Sequence, residues 1–400
     1  MSEQRGPLDG LTVIESGTMI SVPTAGRFLA DFGAEVIKVE HPHGGDHSRD
    51  FGPQKDEVGL WWKYIGRNKK SVTLNLKSDE GQEAFRDLVS EADVLLENFR
   101  PGTLERWNLG YDSLSDDNPG LVMLRLSGFG QEGPYAQKPG FGTLAEAMSG
   151  FAYLNGFEDR PPLLPPTGLA DQVSALFAVF SVMYALYHRE VNGGSGQFID
   201  VSLIEPLLQL TGPQPMRYEE LDDIEKRSGN QSTSSAPRNV YRTKDDRWVA
   251  LAASSQPLAM RVFDAIGRSD LKSDPRFEDN ASRVEHKDEL DEIIGEWIGQ
   301  RNREEVLETF EQHDATIAPV YNIEDIMNDD HYQARDAIVD VQDDDLGETP
   351  IQNVFPKFSD TPGEIQHLGP DLGEHNREVF CEMLGYDESD LEAMDQKDVV

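Results

Sequence analysis

Residues 11–40 read LTVIESGTMISVPTAGRFLADFGAEVIKVE. The first five, Leu11–Glu15, form a short apolar strand candidate. Pro23–Phe32 then carries Ala25, Phe28, Leu29 and Phe32 at helical spacing and stops at Gly33. Glu35–Glu40 alternates and is β-branched, which predicts a second strand. Strand, helix, strand within thirty residues is a βαβ unit, and its two strands run parallel.

The same alternation continues outward. Ser71–Leu76 is a strand, Ser78–Glu91 a helix, and Val94–Leu96 and Leu121–Leu126 are further strands. Gly128–Gly142 is a Gly/Pro loop. Asp171–Glu190 is a long helix, Val191–Gly196 a Gly-rich turn, and Gln197–Leu203 a strand. This pattern predicts an α/β fold with a parallel sheet and helices on both faces. Tyr218–Ser235 is polar and reads as a linker. Pro237–Ala252 holds two strands around Lys244–Arg247, and the chain to Ile323 is helical and acidic. Ser359–Gly373 is loop-like and Glu374–Leu384 is expected as the last helix. The expected organisation is residues 1–217 in a large domain, 218–323 in a smaller α+β insertion, and 324–400 back in the large domain.

Composition narrows the function. The longest apolar run, Ala175–Tyr187, has 13 residues, too few to span a bilayer core. Met1–Leu11 lacks the apolar core of a secretory signal. The single cysteine, Cys381, cannot build a disulfide framework or a cysteine-based metal site within one chain. A soluble cytoplasmic protein is the expectation. Against 36 basic residues stand 74 acidic ones, for a net charge of -38. Only 13 of the basic residues are lysines, and the acids are scattered along the whole length. Such a surface repels phosphate backbones and anionic lipid, which argues against nucleic-acid and membrane partners. It suits a cytoplasm at molar salt, where the Debye length falls to ~3 Å. A halophilic source is inferred; an ordinary acidic enzyme is the alternative.

Several residues invite chemistry. Asp171 stands where Thr167-Gly168-Leu169-Ala170 gives way to the long helix, beside Pro161, Pro162, Pro165 and Pro166. An Asp at a helix start caps free N–H groups. It can equally serve as a carboxylate nucleophile. His41, His43 and His47 form an H-x-H-x₃-H cluster beside Gly44-Gly45-Asp46; it fits no common metal spacing, and a His beside a phosphate or ribose is the other reading. Gly128–Gly133 resembles a dinucleotide fingerprint only superficially, because Glu132-Gly133-Pro134 does not open a helix. Arg67, Lys69 and Lys70, with Arg100 and Arg106 on a second segment, are local cations in an acidic chain. They are either solvated surface or an anion site.

An ordered set of segments resembles the class III CoA-transferases, which include formyl-CoA transferase and the carnitine CoA-transferase group, with the related α-methylacyl-CoA racemases. The set is Leu29–Glu40, Gly44-Gly45-Asp46 with Arg49, Asn68–Lys77, Glu97–Gly102, Gly194–Gln197 leading into Asp200–Leu203, and Gly373–Arg377. It covers nearly the whole chain. The resemblance implies a doubly wound, Rossmann-like sheet built from both chain ends, a smaller inserted domain, and an interlocked homodimer. It implies CoA contacts at Leu74, Asn75, Lys77, Asn98, Arg100, Arg106 and Lys138. It implies a CoA thioester as substrate and no permanently bound cofactor or metal. Asp171 falls where the family places its catalytic aspartate. Attack of that carboxylate on the thioester, exchange through a mixed anhydride, and an aspartyl-CoA thioester then follow, with burial keeping water away and backbone N–H groups stabilising the oxyanions.

Departures from the pattern refine this. Racemases of the superfamily carry a His–Asp pair where this chain reads Phe141-Gly142-Thr143, so α-proton abstraction loses its base; Glu146 is the only nearby candidate. Formyl-CoA transferases carry a Tyr at the place of Phe141 and a Gln near Ile20, and this chain carries Ile20-Ser21-Val22-Pro23, so oxalate and formate are poor fits. Ala253–Pro257 stands where they have a run of glycines, and His41 where they have an Arg. The substrate pocket is expected from Ser21, Phe141, Gly142 and Glu146. Gly140–Ala147 looks like family members that handle branched or unsaturated C4–C5 dicarboxylates. The expected activity is CoA transfer from succinyl-CoA to mesaconate. Alternatives are transfer to citramalate, malate or a carnitine-type acid, isomerisation within the superfamily, including movement of CoA between two carboxyls of one acid, or a non-enzymatic CoA-binding role.

Overall fold

Val13 and Ile14 are neighbours in the chain and face opposite cores. The computed structural model describes residues 6–400, and the same alternation repeats in it at Val36 and Ile37, at Leu96 and Leu95, and at Val122 and Met123. A period of two with apolar residues on both sides is what a parallel sheet covered on both faces requires. The strands are β1 (Thr12–Glu15), β2 (Glu35–Glu40), β3 (Lys69–Thr73), β4 (Val94–Glu97), β5 (Val122–Ser127) and β6 (Gln197–Ser202). All their pairings are parallel, in the order β3-β2-β1-β4-β5-β6. This is the doubly wound order, so the sequence expectation of the fold class holds.

Helix α1 (Ser21–Asp31) joins β1 to β2 and ends where Gly33 turns the chain at φ 98°. Helix α2 (Asp79–Ser90) follows β3; Ser78 caps it by accepting the Gly81 N–H at 3.0 Å. Helix α3 (Gly142–Met148) and the long α4 (Leu169–Asn192) lie between β5 and β6. Residues of α1 and α4 cover one sheet face with Val22, Ala25, Leu29, Ala175, Ala178 and Val182. Residues of α2 cover the other with Phe85 and Leu88, joined there by Val379, Phe380 and Val399 from the far end of the chain. Helix α4 is the one helix among the described residues long and apolar enough to cross a membrane, and its buried stripe packs on this sheet.

The chain divides into two compact units. One comprises the described residues up to Phe151 with Leu164–Pro213 and Gln333–Val400; the other comprises Ala152–Leu163 and Gln214–Tyr332. The second unit has an antiparallel sheet of β7 (Arg238–Arg242), β8 (Trp248–Ala252) and β9 (Ile317–Pro319), with β8 central. Val249, Leu251, Phe263, Ile294 and Phe310 form its core. In the first unit, β10 (Ile338–Asp343) and β11 (Gly347–Gln352) make a hairpin.

Two local expectations are corrected. Gln214–Leu221 is helical, so the irregular stretch starts only after Leu221 rather than at Tyr218. The last helix is Glu388–Asp395, not Glu374–Leu384. There the chain makes a short π-helical turn, Glu378–Met383, which Gly385 ends at φ 78°.

Candidate active site

In a doubly wound sheet the crevice for ligands opens outside the carboxyl ends of the strands where their order reverses. Here that point lies between β1 and β4. A cavity of about 320 Å³ sits there, with Ser16 and Thr18 after β1, His41 after β2, Leu74 and Lys77 after β3, and Phe99 after β4 on its walls. Of the expected CoA positions, Leu74 and Lys77 line it directly. Asn98 does not; its amide clamps Thr18, accepting the Thr18 N–H at 2.9 Å and donating to the Thr18 carbonyl at 2.9 Å. Asn75 turns toward the end of the chain, where its N–H donates to the Val399 carbonyl at 2.8 Å. Arg100 and Arg106 are exposed, and Arg106 donates to Thr103 Oγ1 at 3.0 Å. Lys138 is exposed on the Gly/Pro loop and lies 3.7 Å from the Tyr135 ring centroid. His41, His43 and His47 all line the cavity. Among the described residues no three His, Cys, Asp or Glu side chains are grouped to hold a metal ion, so the metal reading of the cluster is set aside.

A second and larger cleft, of about 950 Å³, contains Asp171. Gly168 is the N-cap of α4, and Asp171 lies in its first turn without capping it. That corrects the capping reading: the carboxylate points into the cleft. Phe141, Gly142 and Glu146 from α3 and its approach line the same cleft, so three of the four expected pocket residues meet Asp171 there. The fourth, Ser21, opens α1, is buried outside the cleft lining, and its hydroxyl favours the charged form of the Asp171 carboxylate. Gly142 is required by contact: a Cβ built on it would stand 2.1 Å from Asp171 Oδ2.

Burial pushes the Asp171 carboxyl up to about 6; the charge of Glu146 adds to this and the Ser21 hydroxyl opposes it. Desolvation and a like charge both favour the neutral acid. Glu146 is itself 3% exposed and accepts the Ala170 N–H at 3.4 Å. Two carboxyl groups therefore share a partly apolar cleft, a setting in which carboxylates become functional.

Sequence reading missed much of the wall. Trp61 and Tyr64 meet at a tilt, 5.7 Å between centroids, Phe51 meets Trp61 edge-on, and Leu346 with Thr349–Gln352 also lines the cleft. Trp107 completes the smaller cavity. The paired tryptophans Trp61 and Trp62 just before a strand were the available signal. Nothing in the polar run Asp343–Gln352 announced a cleft wall.

With this geometry the likeness to known proteins is informative. The chain is 41% identical over 403 residues to a succinyl-CoA–D-citramalate CoA-transferase of Chloroflexus aurantiacus, covering 100% of both chains. It is 42% identical over 398 residues to the β subunit of a succinyl-CoA–L-malate CoA-transferase of the same organism, covering 98% of each. A solved CaiB/BaiF family protein from Brucella suis superposes with a TM-score of 0.84 at 31% identity, over 95% of this chain and 100% of that one. The family model described as CoA-transferase family III matches residues 8–376, and the chain belongs to that family of enzymes.

Proposed function

We propose that this enzyme moves CoA from succinyl-CoA to a C4–C5 dicarboxylic acid, with mesaconate as acceptor, through covalent intermediates on Asp171. The observation that carries the reading is the Asp171 carboxylate itself: half-buried, not used as the helix N-cap, and set against the bare backbone of Gly142 in a cleft beside the switch-point cavity. The donor rests on the two Chloroflexus relatives, whose names pair succinyl-CoA with four- and five-carbon dicarboxylates.

The chemistry balances without a cofactor. An Asp171 oxygen attacks the thioester carbonyl, the C–S bond breaks, and CoA leaves as thiolate. The thiolate attacks the aspartyl carbonyl of the mixed anhydride, forming an aspartyl-CoA thioester and freeing succinate. The acceptor carboxylate attacks that thioester and releases the thiolate again. The thiolate then takes the acceptor's acyl group and restores the Asp171 carboxylate. No net proton moves, and apolar side chains of Phe51, Trp61 and Phe141 line the cleft in which the anhydride would form.

In this reading CoA lies along the switch-point cavity, with Leu74 and Lys77 beside it and Arg100, Arg106 and Lys138 reaching in from the exposed rim. The enzyme works as a homodimer. Its support is a stripe of exposed apolar residues on α4, Leu176, Phe180, Tyr184, Tyr187 and Val191, spaced as one helix face.

The test is mass spectrometry after incubation with succinyl-CoA and trapping with hydroxylamine. A label on Asp171 that clears when mesaconate is added supports mechanism and acceptor together. A label that clears only with another acid redirects the acceptor. No label, despite measurable CoA binding, removes the covalent mechanism.

A further inference from the structure

Lys38 is fully buried in β2, and its ammonium is held by three groups. It donates to the Gly17 carbonyl and pairs with Asp46 Oδ2 at 2.6 Å and Glu15 Oε1 at 3.0 Å. Asp46 is 1% exposed, and its second oxygen accepts the Met19 N–H at 2.9 Å and the Ser48 N–H at 2.8 Å. With Asn98 on both polar groups of Thr18, the three residues from Gly17 to Met19 are bound at four consecutive backbone polar groups by side chains from β2, from the loop after it, and from beyond β4.

Met19 sits at φ 70°, in the left-handed region. A side chain there raises the backbone energy, and such a conformation persists only where its surroundings over-determine it. The held segment is also the partition between the two cavities. Thr18 faces the smaller one, Ile20 faces the larger, and Ser21 reaches Asp171. A free loop would let Met19 relax and would carry Ser21 with it.

We propose that Lys38 and Asp46 are positioning residues for the reacting carboxylate: by clamping the strained Gly17–Met19 backbone they fix Ser21 against Asp171. The proposal rests on Asp171 as the reacting group. The other charges packed on Lys38 are Glu15, which also pairs with Lys69 at 2.8 Å, and Glu40, which Arg49 holds at 2.7 Å. Neither of these two carboxylates bonds the Gly17–Met19 segment among the described residues.

The experiment compares four full-length variants in the succinyl-CoA assay. Asp46→Ala removes the Met19 acceptor and should lower kcat by at least ~10-fold, the scale set by a misplaced reacting group. Met19→Gly in the Asp46→Ala background should restore at least ~3-fold, because glycine stays left-handed at no cost. Asp46→Ala with Ser21→Ala should be no slower than the slower single variant within ~2-fold, since both act through one contact. A purely structural role for Asp46 predicts no glycine rescue and multiplied losses with Ser21→Ala, and that result overturns the proposal, as does an Asp46→Ala enzyme of wild-type rate.

Residue-resolved hydrogen exchange on the wild-type protein stands beside these assays and needs no variant to fold. Thr18 and Met19 amides as slow as those of β1 support the clamp; amides exchanging like open loop overturn it. If wild-type protein shows no transfer at all, the reading of Asp171 fails while the exchange data still judge the clamp.

Discussion

No side chain fits between residue 142 and the carboxylate of Asp171: a Cβ on Gly142 would lie 2.1 Å from Oδ2. The atom it meets is the far end of the side chain on which the proposed chemistry depends, so any accommodation is made by the reacting group.

Gly142→Ala should therefore fold normally and transfer poorly. Gly142 does not adopt a positive φ, so the backbone accepts alanine. We expect kcat to fall by ~100-fold, the scale of an ångström-sized misplacement. Steady-state kinetics with succinyl-CoA check this, and a thermal melt within a few degrees of wild type separates it from misfolding.

The pH dependence carries a sign. In the proposed mechanism Asp171 attacks only as carboxylate, and its carboxyl is raised to about 6 by burial and by Glu146. Transfer should rise with pH through about 6 and then level. Ser21→Ala removes the hydrogen bond that favours the carboxylate, so its acid limb moves to higher pH. Glu146→Gln removes the neighbouring charge, so its limb moves to lower pH. Opposite shifts in kcat–pH profiles are the expected outcome; shifts of one sign would refute this account.

Asp171→Asn should abolish transfer and stabilise the fold. An acid raised in the folded state binds its proton more tightly there than in the unfolded chain. The stability it contributes below pH ~4 is lost as pH climbs from ~4 to about 6. Asparagine does not titrate, so the variant should gain ~1–3 kcal/mol over wild type at pH 8. The difference should vanish near pH 4. Denaturant unfolding at both pH values measures it.

Tyr184 is 69% exposed in the middle of the apolar stripe on α4. Tyr184→Glu should shift the protein to a monomer by size-exclusion chromatography. Low salt should loosen the proposed dimer as well, because a net charge of -38 is then unscreened. A wild-type protein that stays dimeric and fully active at ~0.1 M salt would count against adaptation to high salt.

The sheet was legible because its strands are short, β-branched and separated by helices with clear stops, as at Gly33 and Gly193. Both faces are buried, so the apolar runs around Val13, Val36 and Val122 had one interpretation. The last helix was misplaced because Glu388–Asp395 buries none of its residues fully and packs only Leu391 and Met394 on the core. Within the site, Asp171, Gly142 and Glu146 lie close together in sequence, and a resemblance over that stretch found them together. The resemblance implies a CoA contact at Asn98, and nothing in the sequence indicates that its amide bonds both backbone groups of Thr18. Met19 gave no sign of a left-handed backbone, since no glycine or asparagine marks the position. The clamp on it is made by residues that look like an ordinary strand lysine and a loop aspartate.

The hairpin of β10 and β11 brings Leu346 and Thr349–Gln352 to the cleft that holds Asp171. On the proposed function, the surface an incoming acid meets thus includes segments as far apart as Asp171 and Leu346, some 175 residues of sequence. The switch-point cavity draws on neither the hairpin nor the start of α4. Such a division lets the acid accepted drift through exchanges in one exposed hairpin while the thioester handle stays the same. Transplanting residues 344–352 between relatives that use different acids is the experiment this layout invites, and saturation of the helix around Asp171 alone would overlook half of the recognition surface.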